Sequence, residues 1–280
     1  MPTFDTPEPI FAAIDIGAGH VRISASDRAD TVVEVRPADE SEDADVKAAD
    51  GTRVEYGNGR LLVEGPKSKL RSLFRRNPSI DVTVDLPTDS RIDAKVWADV
   101  RSEGRLGDST FDTAAGDVRL DQTGRLKLRS AAGDVSVARS VGHADVSTAA
   151  GKIWIGEIDG TAVAKTSSGD VTVGEVTGHL RLSTAYGEIT VDRALATVAA
   201  KTAYGSVRIG EVVRGSVVLA TGWGDVEVGI AEGTSAWLDV TSGSGTARSY
   251  LDAADGPEPS GEKVEVRART GSGDIVIRRS

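Results

Sequence analysis

Through the middle of the chain, apolar side chains fall on every second position in short runs, and a glycine separates each run from the next. In the stretch from Gly169, Val171 and Val173 alternate with Thr172, a corner follows at Val176 and Gly178, and Leu180, Leu182 and Thr184 then alternate with Arg181 and Ser183. A period of two marks strands with one buried side, and glycine supplies permissive corners between them. The 3.6-residue period of an amphipathic helix is missing from this region.

The runs recur. TAAGDVRL begins at Thr113, SAAGDVSV at Ser130, TAAGKIWI at Thr148, TSSGDVTV at Thr166, TAYGEITV at Thr184, TAYGSVRI at Thr202 and TGWGDVEV at Thr221, at spacings of 17, 18, 18, 18, 18 and 19 residues. A further copy, TGSGDIVI, starts at Thr270, and Gly17 to Ile23 is a weak relative. Regular spacing of this kind signals stacked structural units. Antiparallel hairpins also give short alternating strands, but they carry Asn-Gly or Asp-Gly turns and reverse direction, whereas here one residue class returns at each eighteenth position. Leu120, Val137, Ile155, Val173, Val191, Ile209 and Val228 form one column, and Leu128, Val146, Ala164, Leu182, Ala200 and Leu219 form another. If each unit is one coil, these columns become apolar ladders with a rise of about 4.8 Å.

The expected fold is therefore all-β: a single-stranded parallel β-solenoid, or β-helix, of about 18 residues per coil, with right-handed winding. Small residues such as Ala144, Ala162, Ala164 and Ala200 on inward columns predict a thin interior. Residues 91–280 are read as the regular solenoid, with an excursion near 252–263 before Val264, Val266 and Ala268 return to strand. Residues 1–90 keep strand signals at Ile10–Ile16, Val21–Ile23, Val32–Val35, Leu61–Val63 and Ile80–Leu86 but lose the period. They are read as an N-terminal β cap or irregular first coils. An acidic excursion, Asp39 to Asp50, and a basic one, Lys67 to Arg76, interrupt this part. The charged Arg278 and Arg279 are expected to limit stacking of one molecule on another.

The G-D-V-x-V units, with IDIGAGHVRI near the start and VRARTGSGDIVIRRS at the end, resemble the bacterial β-strand-repeat family of putative adhesins known as domain of unknown function 4097. The resemblance implies a parallel β-solenoid and a binding or envelope-associated role, and it carries no catalytic residues with it.

Composition narrows the chemistry. The chain of 280 residues has no cysteine, which excludes disulfides, thiolate metal sites and a cysteine nucleophile. Its formal charge of -10 opposes binding along a nucleic-acid backbone. The opening residues, with acids and two prolines, lack the pattern of a secretory signal, so the expected location is cytoplasmic or peripheral to the inner face of the envelope, with the cell surface or secretion as the alternative. After the strand-leading glycine run Asp117, Asp134, Lys152, Asp170, Glu188, Ser206 and Asp225. Calcium needs about six to eight oxygen ligands, and Lys152 interrupts this row, so it reads as turn electrostatics. His143 and His179 sit two coils apart, about 10 Å on this ladder, too far to share a metal. No cofactor, metal site or enzymatic activity is expected.

Two surface features are candidates for binding. Tyr186, Tyr204 and Trp223 occupy one corner column in consecutive coils and form a candidate aromatic edge for a protein or a carbohydrate. The threonines at the same corners are read as structural. Lys67, Lys69, Arg71, Arg75 and Arg76 surround Leu70, Leu73 and Phe74 and form a candidate basic contact loop for an anionic membrane surface. The favoured function is a noncatalytic structural or protein-binding scaffold, with self-association through strand edges among its forms. The alternatives are an extracellular adhesin for carbohydrate or protein and, last, a carbohydrate-active enzyme.

Overall fold

The computed structural model describes residues 1–66, 78–252 and 261–280. The chain divides into two compact units, Met1–Val137 and Ala138–Ser280.

The first unit contains β1 (Thr3–Asp5), β2 (Phe11–Ser26), β3 (Asp30–Pro37), helix α1 (Asp43–Asp50), β4 (Arg53–Gly57), β5 (Arg60–Glu64), β6 (Ser79–Pro87), β7 (Arg91–Glu103), β8 (Arg105–Leu106), β9 (Ser109–Thr113), β10 (Val118–Thr123) and β11 (Leu126–Ala132). Its strands pair in parallel on two faces. On one face β2 lies between β5 and β7, and β9 and β11 continue the ladder. On the other, the second half of β2 lies between β6 and β7, and β10 follows. Strands β2 and β7 run through the corner, so the separate strands expected at Ile10–Ile16 and Val21–Ile23 are one. Gly17 and Gly19 bend the chain without ending pairing, at a register shift between Ile16 and Ala18. The outer edges of this ladder are covered by antiparallel strands, β4 on β5 and β3 on β6, with β1 on β3. Antiparallel cover of this kind removes the open parallel edge that invites pairing with other chains.

The acidic excursion contains α1. Eight residues are too few to display a 3.6-residue period, but Asp43 and Asp45 in its first turn suit the positive end of the helix dipole. The buried Asp45 carboxylate also accepts the Ser79 backbone N–H at 2.8 Å, tying the helix to β6.

The division falls within β12 (Val135–Val141). The second unit continues through β13 (Ala144–Ala150), β14 (Ile153–Asp159), β15 (Ala162–Ser168), β16 (Val171–Val176), β17 (Leu180–Ser183), β18 (Ile189–Ala194), β19 (Val198–Tyr204), β20 (Val207–Val212), β21 (Gly215–Trp223), β22 (Val226–Ile230), β23 (Ser235–Ser244), β24 (Ala247–Ser249), β25 (Lys263–Ser272) and β26 (Ile275–Arg279). Each coil has two strands, and each strand pairs in parallel with its equivalent one coil away. One face is built on β13, β15, β17, β19 and β21, the other on β14, β16, β18, β20 and β22. The columns read from the sequence are the interior: Ile155, Val173, Val191, Ile209 and Val228 are buried in register opposite Ala164, Leu182, Ala200 and Leu219. Each interior side chain is covered above and below by a similar one, which supplies apolar burial without any single large residue.

The last two coils are out of chain order. Strand β25 pairs with β21 on one side and β23 on the other, and β26 lies likewise between β22 and β24. Residues 263–279 are thus inserted between the coil that ends at Ile230 and the coil formed by β23 and β24. The reason is in the side chains. Val264, Val266, Ala268, Ile275 and Ile277 are inward and buried, whereas the β23–β24 coil offers Ala236, Leu238, Val240, Ser242, Ala247 and Ser249. The more apolar coil takes the doubly covered place, and the smaller, more polar one is left at the end. Arg278 and Arg279 therefore do not guard a free end. Arg278 bonds to Glu227 at 2.8 Å, and Arg279 donates to the carbonyls of Ala231 and Thr234 at 2.9 Å each.

This difference in cover predicts a difference in energy. Ile189→Ala, in a fully enclosed column, should destabilise the protein by about 2–5 kcal/mol, while Leu238→Ala at the half-covered end should cost about 1 kcal/mol. Urea unfolding of the two variants measures both.

Candidate functional site

The corner that opens each coil is built from four residues with separate tasks. At Thr184-Ala185-Tyr186-Gly187, the threonine is buried and its hydroxyl donates to the Gly169 carbonyl of the preceding coil at 3.1 Å. The same bond joins Thr166 to Gly151, Thr202 to Gly187, Thr221 to Gly205 and Thr270 to Gly224, at 2.8–3.2 Å. Gly187 has φ of 152°, and a Cβ placed on it would lie 2.1 Å from the Gly169 carbonyl oxygen. Glycine is required there by both the dihedral and the approach of the neighbouring backbone. With the first and fourth residues fixed, the third can only project outward.

That third position carries Ser168, Tyr186, Tyr204, Trp223, Ser272 and Ser244 in successive register. All three aromatic residues are exposed: Tyr186 at 60%, Tyr204 at 49% and Trp223 at 61%. The Tyr186 and Tyr204 rings stack with centroids 5.1 Å apart and planes 2° from parallel. Their facing surfaces cover each other, which leaves ring edges, the two hydroxyls, the outer ring faces and the Trp223 indole for contact. Serines on both sides give the ledge low shoulders. Trp154 also points outward, at 45% exposure, but on the opposite face of the coil, away from this row.

The residue after the glycine completes the corner. Asp170 Oδ1 accepts the Glu188 backbone N–H at 3.0 Å, Asp225 Oδ1 that of Asp274 at 2.8 Å, and Asp274 Oδ1 that of Thr246 at 2.8 Å. In the first unit Asp99 and Asp117 do the same for Asp117 and Asp134. The carboxylate column is therefore a set of caps for strand-leading amides. The Glu188 amide and the Lys152 ammonium, 3.1 Å away, hold the Asp170 carboxyl below the usual carboxylate range. Asp274 is lowered chiefly by the Thr246 amide.

His143 and His179 lie two coils apart, and the His143 ring bonds to Thr161 of the coil between them at 2.8 Å. Among the described residues, no three His, Cys, Asp or Glu side chains are placed to hold a metal ion. The basic loop, Lys67, Lys69, Arg71, Arg75 and Arg76, lies outside the described residues.

A second polar cluster in the first unit escapes a reading by columns. On β2, β7 and β10, Arg22, Arg101 and Arg119 are in register neighbours on the outward face, with Thr83 of β6 beside Arg22. The sequence signal is the recurrence of Val-Arg at Val21-Arg22, Val100-Arg101 and Val118-Arg119, preceded by His20, Asp99 and Asp117.

Two-faced parallel coils, a glycine-locked corner and outward columns define a β-solenoid of the repeat type. Residues 13–214 match the Toastrack DUF4097 family, and the chain belongs to it. Among solved structures it is similar to a "putative adhesin" from Bacteroides fragilis NCTC 9343 at 14% identity, covering 99% of this chain and 95% of that one with a TM-score of 0.37. It is similar also to a "putative adhesin" from Parabacteroides merdae ATCC 43184, at 12% identity over 81% of this chain and 94% of that one, TM-score 0.42. A third, a "putative lipid binding protein" from Parabacteroides distasonis ATCC 8503, shares 13% identity over 100% and 95% of the two chains, TM-score 0.31. No curated protein matches the chain.

The corner caps predict an acid response. Because the folded-state value of Asp170 is lowered, its stabilisation is complete above the ordinary value of about 3.9 and is lost as pH falls through the lower folded value. Asp170→Asn should lower the thermal midpoint near neutrality by on the order of a few degrees, and the gap from the unmodified protein should narrow as the pH falls below the ordinary carboxylate value of about 3.9. Thermal unfolding across a pH series measures it.

Proposed function

We propose that the chain is a noncatalytic binding scaffold that presents the Tyr186, Tyr204 and Trp223 ledge to a protein partner. The observation that carries this reading is the exposure of three aromatic side chains in register on corners locked by buried threonines and close-packed glycines. Aromatic residues held rigid before contact supply large area at low entropic cost, as anchors of protein interfaces do. Stacking of the tyrosine pair takes up two of the ring faces on which a sugar could dock, while the ring edges and both hydroxyls stay open to a peptide or protein surface. Noncatalytic action is supported by the carboxylates that follow the corner glycines, several of which are engaged by backbone amides. The proposed setting is the cytoplasm or the inner face of the envelope. Cell fractionation with an antibody to the intact N-terminus tests that part, and recovery of the protein from the cell surface would move the reading to the adhesin alternative.

The test of the ledge is selection of a phage-displayed peptide library on the wild-type protein, followed by binding of the enriched peptides to a Tyr186→Ala, Tyr204→Ala, Trp223→Ala variant with an unchanged circular dichroism spectrum. Peptides should lose affinity by about a hundredfold or more, as when a cluster of anchors is truncated. Equal binding by the variant would reject the ledge, and glycan-array binding that depends on the same three residues would replace the protein partner with a carbohydrate. Light scattering over a range of concentrations tests the self-association form, which requires a mass that rises with concentration.

A further inference from the structure

The arginine row of the first unit borders a cavity of about 430 Å³ on the outward face of β2, β6, β7 and β10. Arg22, Arg101 and Arg119 stand side by side across three parallel strands, at a pitch of about 4.8 Å. Like charges directly opposite one another on a sheet destabilise it unless something neutralises them. For two of the three, an acid two residues away in the chain does so: Arg101 pairs with Glu103 at 3.1 Å and Arg119 with Asp117 at 3.2 Å. Arg22 has no ion pair or hydrogen-bond partner for its guanidinium among the described residues.

The carboxylates around the cavity are already engaged. Asp81 bonds to His20 at 2.9 Å, Glu34 pairs with Arg36, Asp99 accepts the Asp117 amide, and Asp117 accepts the Asp134 amide as well as Arg119. What is left over is one unpaired guanidinium on an exposed strand position, flanked by the Thr83 register position on one side and Arg101 on the other, in a concavity large enough for a phosphorylated small molecule. A planar guanidinium fork matches the oxygens of a tetrahedral oxyanion, and two such forks one strand apart can share one.

We propose that this cavity is a phosphate-binding site in which Arg22 and Arg101 grip the oxyanion and Arg119 adds positive potential. The site is separate from the aromatic ledge and does not depend on it. The phosphate belongs to a soluble ester or to a phospholipid headgroup, and the two sources are distinguished by experiment.

Calorimetric titration of the full chain with inorganic pyrophosphate, and flotation with phosphatidylcholine vesicles with and without phosphatidic acid, form the two arms. Binding in at least one arm is expected, weakened roughly tenfold or more by Arg22→Gln and by Arg101→Gln, partly restored by Arg22→Lys, and weakened by added salt. Arg181→Gln, an exposed arginine of the second unit, should bind as the wild type does. Binding of pyrophosphate alone assigns a soluble ester, and binding only to the acidic vesicles assigns a headgroup. The proposal is overturned if neither probe binds, or if a folded Arg22→Gln or Arg101→Gln protein binds as tightly as the wild type.

Discussion

Successive corners in this protein meet backbone to backbone. At Gly169, Gly187, Gly205 and Gly224, each glycine sits with positive φ against the carbonyl of the glycine one coil before it, where no side-chain carbon fits. That approach sets the rise between coils at the corner, and the ladder hydrogen bonds set the same rise along the strands. Because the two agree, every residue class stays in register from coil to coil. The apolar columns are then continuous, the threonine hydroxyls reach the glycine carbonyls, and the carboxylates reach the next strand's first amide.

The same constraint makes surface chemistry linear. A residue type repeated at one corner position becomes a row on the molecule, and its neighbours in the row come from different coils. Tyr186, Tyr204 and Trp223 form such a row because the corner buries its first residue and packs its fourth against backbone, so that a bulky third residue has only one direction to take. Arg22, Arg101 and Arg119 form another on a strand face, where the alternation that buries Val21, Val100 and Val118 turns the next residue outward. Charge repulsion inside such a row is relieved by local acids for some members and left for others, and this is how a regular scaffold acquires individual sites.

Much of this was legible from residues alone. The eighteen-residue spacing, the two-residue alternation and the inward columns from Ile155 to Val228 specify parallel coils, because both periods are satisfied only by stacking. The aromatic row was legible for the same reason. Coil order was not: TGWGDVEV and TGSGDIVI carry the same corner signal, and nothing in either says that the second will lie directly on the first while residues 235–249 move outside it. Only relative apolarity, with Val264, Val266 and Ile277 against Ala236, Ser242 and Ser249, holds that information. The N-terminal strands were blurred because β2 and β7 pass through their corners without the Thr-x-x-Gly signal, and because α1 is too short to show its period. The arginine row stayed hidden because Arg22 and Arg101 are far apart in the chain and meet only through the pairing of β2 with β7.

The claim that close backbone approach at the corners fixes the stack is tested most directly by comparing two glycines of the second unit that both have positive φ. At Gly233, with φ of 75°, no atom beyond its own chain neighbours lies within 4 Å of the place a Cβ would take, whereas at Gly187 that place is 2.1 Å from a backbone oxygen of the preceding coil. Urea unfolding should show a loss of about 1 kcal/mol for Gly233→Ala, the cost of the dihedral alone. Gly187→Ala should lose at least about 3 kcal/mol, since the clash with the neighbouring coil adds to it. Equal losses for the two variants would contradict the account.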